Sequence, residues 1–190
     1  MLRRLPARSA ALCSLLMLGC LSQAHAADYT GFGFVFEGDL EYGGDDIATL
    51  SFVDGSSQDI KAGQGVSLAL GGHYRAGDSP FSVRGTIGYK YVTTKASNAD
   101  ISIGRTVFEL VGNYLISDSW WVGAGITHQT GIKFDGDGWT PDIDFDDATG
   151  PTIEVGWRWF ALSYTNLKYK GEFQGDIDAS SFGLTAVSKF

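Results

Sequence analysis

From residue 29 onward, apolar and polar side chains alternate with a period of two, in segments divided by turn residues. That is the spacing of a strand whose successive side chains point to opposite faces. The pattern predicts eight strands, at 29–38, 64–75, 81–95, 101–116, 120–134, 152–159, 160–170 and 179–190. Most reach the roughly 9–11 residues that a tilted strand needs to cross a bilayer. The odd-numbered connections are 39–63, 96–100, 135–151 and 171–178. The even-numbered ones are 76–80, 117–119 and a reversal near Arg158-Trp159. Long alternating with short is the rhythm of a membrane barrel with long loops outside and short turns in the periplasm. The first loop carries a hairpin signal of its own, 47–53 and 58–62 flanking Asp54-Gly55. Pro80 falls in a turn, Pro141 in a loop and Pro151 at a strand entrance, so none interrupts a ladder.

Parity sorts the side chains. One face carries Phe32, Phe34, Phe36, Val66, Leu68, Leu70, Val83, Ile87, Phe108, Leu110, Ile126, Ile153, Val155, Leu162, Phe182 and Leu184, with no charge in its central band. A Lys or Arg there would cost about 2–4 kcal/mol in lipid. The other face carries Glu37, His73, Arg75, Arg84, Arg105, Glu109, Asn113, Glu154, Arg158 and Lys189 among small residues. A water-soluble barrel would show the reverse. Polar inside and apolar outside predicts an all-β fold: a single eight-stranded, antiparallel, up-and-down transmembrane β-barrel over residues 27–190. Aromatic residues bunch at the short-turn end, where Tyr74, Phe81, Tyr114, Trp120, Trp121, Trp157, Trp159, Phe160 and Phe190 predict a girdle at the bilayer interface. A looser set, Phe36, Tyr89, Tyr91, Tyr169 and Phe182, marks the other end.

Residues 1–26 read as a secretory signal peptide: basic Arg3, Arg4 and Arg8, an apolar stretch over 10–21, and a small-x-small site at Ala24-His25-Ala26. Met17-Leu18-Gly19-Cys20 is a loose lipoprotein-like box, which would allow lipidation at Cys20. Cys13 and Cys20 are the only cysteines, so residues 27–190 have no disulfide, thiol nucleophile or thiolate ligand. The chain carries a net charge of −8; less the three arginines of the leader, residues 27–190 carry −11. This excludes the basic stripe of a nucleic-acid binder.

The last strand, with Phe182, Leu184, Ala186, Ser188 and a final Phe190, resembles the assembly signal of outer-membrane barrels. That resemblance implies folding by the barrel-assembly machinery; it departs at Ser188, where an aromatic or large apolar residue is usual. Residues 27–190, including 85–91 (GTIGYKY) and 144–148 (DFDDA), resemble the small eight-stranded barrels of the OmpA/OmpX-like superfamily. The resemblance implies location in a bacterial outer membrane and no particular activity.

The candidate chemistry is sparse. In so narrow a lumen, Glu37, Glu109 and Glu154 facing Arg75, Arg84, Arg105 and Arg158 are expected to form a structural ion network that plugs the interior. The same charges exchanging partners would make a gate. Asp135, Asp137, Asp142, Asp144, Asp146 and Asp147 crowd one loop at the spacing of two that invites a divalent cation, but out of EF-hand register. His128, near the outer rim of the fifth strand with Thr130 two residues on, is the one candidate for a lipid A-modifying hydrolase on the outer wall. The expectation is a non-enzymatic, monomeric barrel without catalytic residues, metal or cofactor. Its surroundings would be outer-membrane lipids and lipopolysaccharide, with a lipid A hydrolase or a narrow solute channel as the alternatives.

Overall fold

The computed structural model describes residues 30–51, 57–96, 99–138, 140–171 and 175–190. The signal-peptide and Cys20 expectations, and the Asp54-Gly55 turn, lie outside these residues. Within them are thirteen strands and no helix: β1 Gly31–Tyr42, β2 Asp46–Ser51, β3 Ser57–Lys61, β4 Gly65–Arg75, β5 Phe81–Ala96, β6 Ala99–Leu115, β7 Trp120–Asp135, β8 Ile143–Phe145, β9 Ala148–Trp157, β10 Phe160–Thr165, β11 Lys168–Tyr169, β12 Ile177–Asp178 and β13 Ser181–Lys189. Eight of them, in the order β1-β4-β5-β6-β7-β9-β10-β13 and back to β1, close an antiparallel barrel. The seam is β1 against β13, from Val35↔Lys189 to Tyr42↔Phe182, and it is extended by reciprocal backbone bonds between Phe34 and Phe190.

The expected alternation holds along the wall. Phe32, Phe34, Leu68, Leu70, Ile87, Leu110, Ile126, Ile153, Leu162 and Phe182 are exposed on the outside, while Glu37, Arg84, Arg105, Asn113, Thr127 and Glu154 are buried inside. An exposed apolar belt around a closed wall with a polar interior is stable only in lipid.

Three differences from the sequence expectation shape the upper half. β1 continues to Tyr42, adding Asp39 and Glu41 to the interior. The predicted seventh strand, 160–170, leaves the wall after Thr165: Leu167 turns in, and Lys168–Tyr169 pair with β12 instead. β7 carries a bulge, where the pairs Gly104↔Lys133 and Thr106↔Thr130 match two steps on β6 to three on β7. Gly131, at φ 61°, takes up the extra residue. The bulge flips parity, so Ile132 and Phe134 point inward although Ile126 points out.

Along β6 polarity inverts with no change of parity. On β6, Phe108 and Leu110 face out lower down, and buried Ile101 and Ile103 face in at the top, where the outward positions are Ser102, Gly104 and Thr106. The switch marks where lipid gives way to water. Above it, Ile101, Ile103, Ile132, Phe134 and Ala148 from the wall join Ile60, Ala62, Phe145, Leu167, Tyr169, Ile177 and Ala179 from the loops in one apolar cluster across the mouth. The first loop does form the predicted hairpin, β2 with β3. It is tied to the fourth loop through Asp45 N to Asp178 O (2.7 Å) and Asp178 N to Asp45 Oδ2 (2.8 Å).

Candidate functional site

Among the described residues, the buried charged side chains gather in the lumen, where they lie in tiers. At the short-turn end the floor is Trp121, 6% exposed. Parity separates it from Trp120: the first indole of the pair points to lipid and the second inward, so Trp121 leaves the girdle that the sequence suggested. Its Nε1 donates to Arg158 O (3.2 Å), and Gly156 leaves the space its ring occupies. The Arg84 guanidinium and the Lys189 ammonium each lie 5.8 Å from its ring centroid.

Above this floor, Arg84 is the hub. Its NH2 donates to Glu154 Oε1 at 2.7 Å, and its Nε faces Glu37 Oε2 at 3.0 Å as an ion pair off hydrogen-bond geometry. β1, β5 and β9 are thereby cross-linked through the interior. Glu109 joins from β6 through its Oε1, which accepts from Thr127 Oγ1 (2.9 Å). Higher up, Lys90 Nζ meets Glu41 Oε2 at 2.7 Å, and Ser181 Oγ also donates to that oxygen. Asp39 accepts from Ser67 Oγ (2.7 Å). Just beneath the apolar cluster, Arg105 donates to Gln64 O (2.8 Å) and packs 5.9 Å from the Tyr169 ring, whose hydroxyl donates to Gln129 Oε1 (2.5 Å).

Of the seven charges expected in one network, the structure brings Glu37, Arg84 and Glu154 together, with Glu109 beside them. Arg105 belongs to the tier above. Arg75 and Arg158 lie outside it. Arg75 ends β4 and its Nε locks the turn by donating to Ser79 O (2.6 Å). Arg158 sits in the two-residue turn after β9, where strand parity has stopped, at φ 53° with its guanidinium 5.0 Å from the Trp157 ring centroid. Lys90, Asp39 and Glu41 were missed. Lys90 shares the parity of Arg84 and could have been found; the two acids were lost with the last turns of β1.

Tyr74, Phe81, Tyr114, Trp120, Trp157 and Phe190 are exposed on the outer wall next to the short turns, with half-buried Phe160 beside them on Trp159. In the upper set, Tyr89, Tyr91 and Phe182 face out, but Tyr169 is buried in the apolar cluster and Phe36 lies mid-strand. His128 is half-buried on the outer wall, with Nδ1 2.8 Å from Thr149 Oγ1 on β9. In the acidic loop, Asp142 and Asp135 accept from Gly136 N and Asp137 N (both 2.9 Å), and Asp144 faces Lys133 at 3.4 Å. Among the described residues, no three His, Cys, Asp or Glu side chains gather as a metal-ligand set.

No family model and no curated protein matches the chain. Its fold is similar to the crystal structure of the outer membrane protein OprG from Pseudomonas aeruginosa: 18% identity, TM-score 0.54, 87% of this chain and 98% of that one covered. It also aligns with two crystal structures of Ail, the attachment invasion locus protein of Yersinia pestis, one with the heparin analogue sucrose octasulfate. These are at 13% and 12% identity and TM-scores of 0.48 and 0.46, each over 85% of this chain and 100% of that one. The OprG likeness identifies the fold as that of a small bacterial outer-membrane barrel, in keeping with the apolar belt.

Proposed function

We propose that this chain is a closed, non-enzymatic barrel of the bacterial outer membrane, a monomer that contributes to the envelope and its surface and neither conducts solutes nor alters lipid A. What carries the reading is closure at both ends. The reading is supported by the apolar cluster at the loop end, by buried Trp121 at the other end, and by the Arg84 pairs with Glu37 and Glu154 between them. Acidic loops would face the medium above lipopolysaccharide, and the seven aromatic residues Tyr74 to Phe190 would seat the barrel at the inner interface. The Phe190 strand, closing on β1, would be what the assembly machinery receives. The rival activity would centre on His128 and its Thr149 partner. Planar-bilayer recording on refolded protein, with lipid A mass profiles of cells with and without it, tests the reading. A flat current trace and identical profiles are expected. Resolved unitary steps, or an acyl-chain mass shift abolished by His128→Ala, would overturn it.

A further inference from the structure

We propose that the lower lumen binds one small monovalent cation between Asn113 Oδ1 and Glu154 Oε2, over Gly123. Gly123 on β7 is the direct cross-strand neighbour of Asn113 on β6 and of Glu154 on β9. With no side chain of its own between them, the two flanking side chains lean over it. Asn113 Oδ1, Val111 Cγ1 and Glu154 Oε2 lie 2.8, 2.9 and 3.3 Å from the point a Gly123 β-carbon would occupy, so the two oxygens converge on one spot beside the Val111 methyl.

Both residues are 4% exposed, and neither oxygen receives a hydrogen bond from the protein. The rest of each side chain is engaged. Asn113 Nδ2 points to Val111 O at 3.5 Å, and Glu154 Oε1 takes the Arg84 bond. Two converging buried acceptors cannot satisfy each other. They require a donor or a cation between them.

Charge selects the cation. The free oxygen belongs to a carboxylate, and two further acids, Glu37 and Glu109, lie with it at the level of Arg84. Lys189 makes no hydrogen bond to the free oxygen of Glu154. One carboxylate oxygen and one neutral amide oxygen are too lightly charged for a divalent ion, and no third acidic or imidazole ligand completes a set among the described residues. Water would fill the remaining coordination positions.

The test uses the refolded full barrel and rubidium as the probe. Crystals grown in rubidium chloride should give an anomalous peak in contact with both oxygens. In zwitterionic detergent, the melting temperature read from heat-modified gel mobility should rise with rubidium and saturate, relative to N-methylglucamine chloride at equal ionic strength. Gly123→Ala fills the position, leaves every charge in place, and should abolish that dependence. Glu154→Gln should do the same if it folds. A water without anomalous signal at the site, identical melting in the two salts, or a rubidium effect that survives Gly123→Ala would each overturn the proposal.

Discussion

Replacing Arg84 with Met would remove the guanidinium and keep most of the volume. Arg84 is 1% exposed, and its two partners, Glu37 and Glu154, are 2% and 4% exposed. Neither carboxylate can turn to water when the cation goes. Truncating one member of a buried ion pair typically costs about 3–5 kcal/mol, because the remaining charge is stranded. Two stranded acids put Arg84→Met at the upper part of that range. For a chain of this size each kcal/mol moves the melting point by roughly 2–4 °C, so a loss of about 4–5 kcal/mol gives a fall of roughly 8–20 °C. The assay is urea unfolding of the barrel in lipid vesicles, followed by tryptophan fluorescence, with melting read by gel mobility. The triple variant Arg84→Met/Glu37→Gln/Glu154→Gln removes the stranded charges as well and should recover most of the loss, a coupling energy that single variants cannot show. If Arg84→Met unfolds within about 0.5 kcal/mol of the parent, the change is no larger than an ordinary surface substitution, and the cross-link is not holding the wall. A triple variant no better than the single one would also refute stranded charge as the cause.

Leu110→Arg should destabilise the vesicle-inserted barrel by about 2–4 kcal/mol, whereas Ser102→Arg, eight residues earlier on the same face of β6, should be close to neutral. Equal effects would misplace the boundary between lipid and water. Gly131→Val forces a β-branched residue into φ 61° and should cost about 1–2 kcal/mol or more, with loss of protease protection across the apolar mouth. Unchanged proteolysis would detach the bulge from that closure. The Ser180 hydroxyl and backbone N–H hold the Asp178 carboxyl below its usual 3.8, so its contribution is complete above that pH and is lost as pH falls through the folded value. Asp178→Asn should therefore flatten the acid limb of fourth-loop protection in hydrogen exchange; an unchanged limb would place the linkage elsewhere.

Period-two alternation was enough to determine the number of barrel strands, their faces and the solvent outside, because a closed wall in lipid imposes one rule on every spanning residue. Phe34, Leu70, Ile87, Leu110 and Ile153 followed it, as did Glu37, Arg84 and Glu154 on the inside. The pairing of β2 with β3 was equally legible, since two strands so close in sequence pair locally. Above the membrane that uniform solvent ends. Gly131 shifts the register of β7 by one residue, and Ile132 and Phe134 change sides. Leu167 and Tyr169 leave the wall and enter an apolar cluster whose members are scattered from residue 60 to residue 179. No local period encodes a bulge or a contact over that span. Pairing inside the lumen was also decided in three dimensions. Parity can say that Arg84, Arg105, Lys90 and Asp39 point inward, but stagger between tilted strands sets which of them share a level. Arg84 therefore meets Glu37 and Glu154, Lys90 meets Glu41, Arg75 at the end of its ladder donates to Ser79 O in the turn, and Arg158, beyond the ladder, lies beside Trp157.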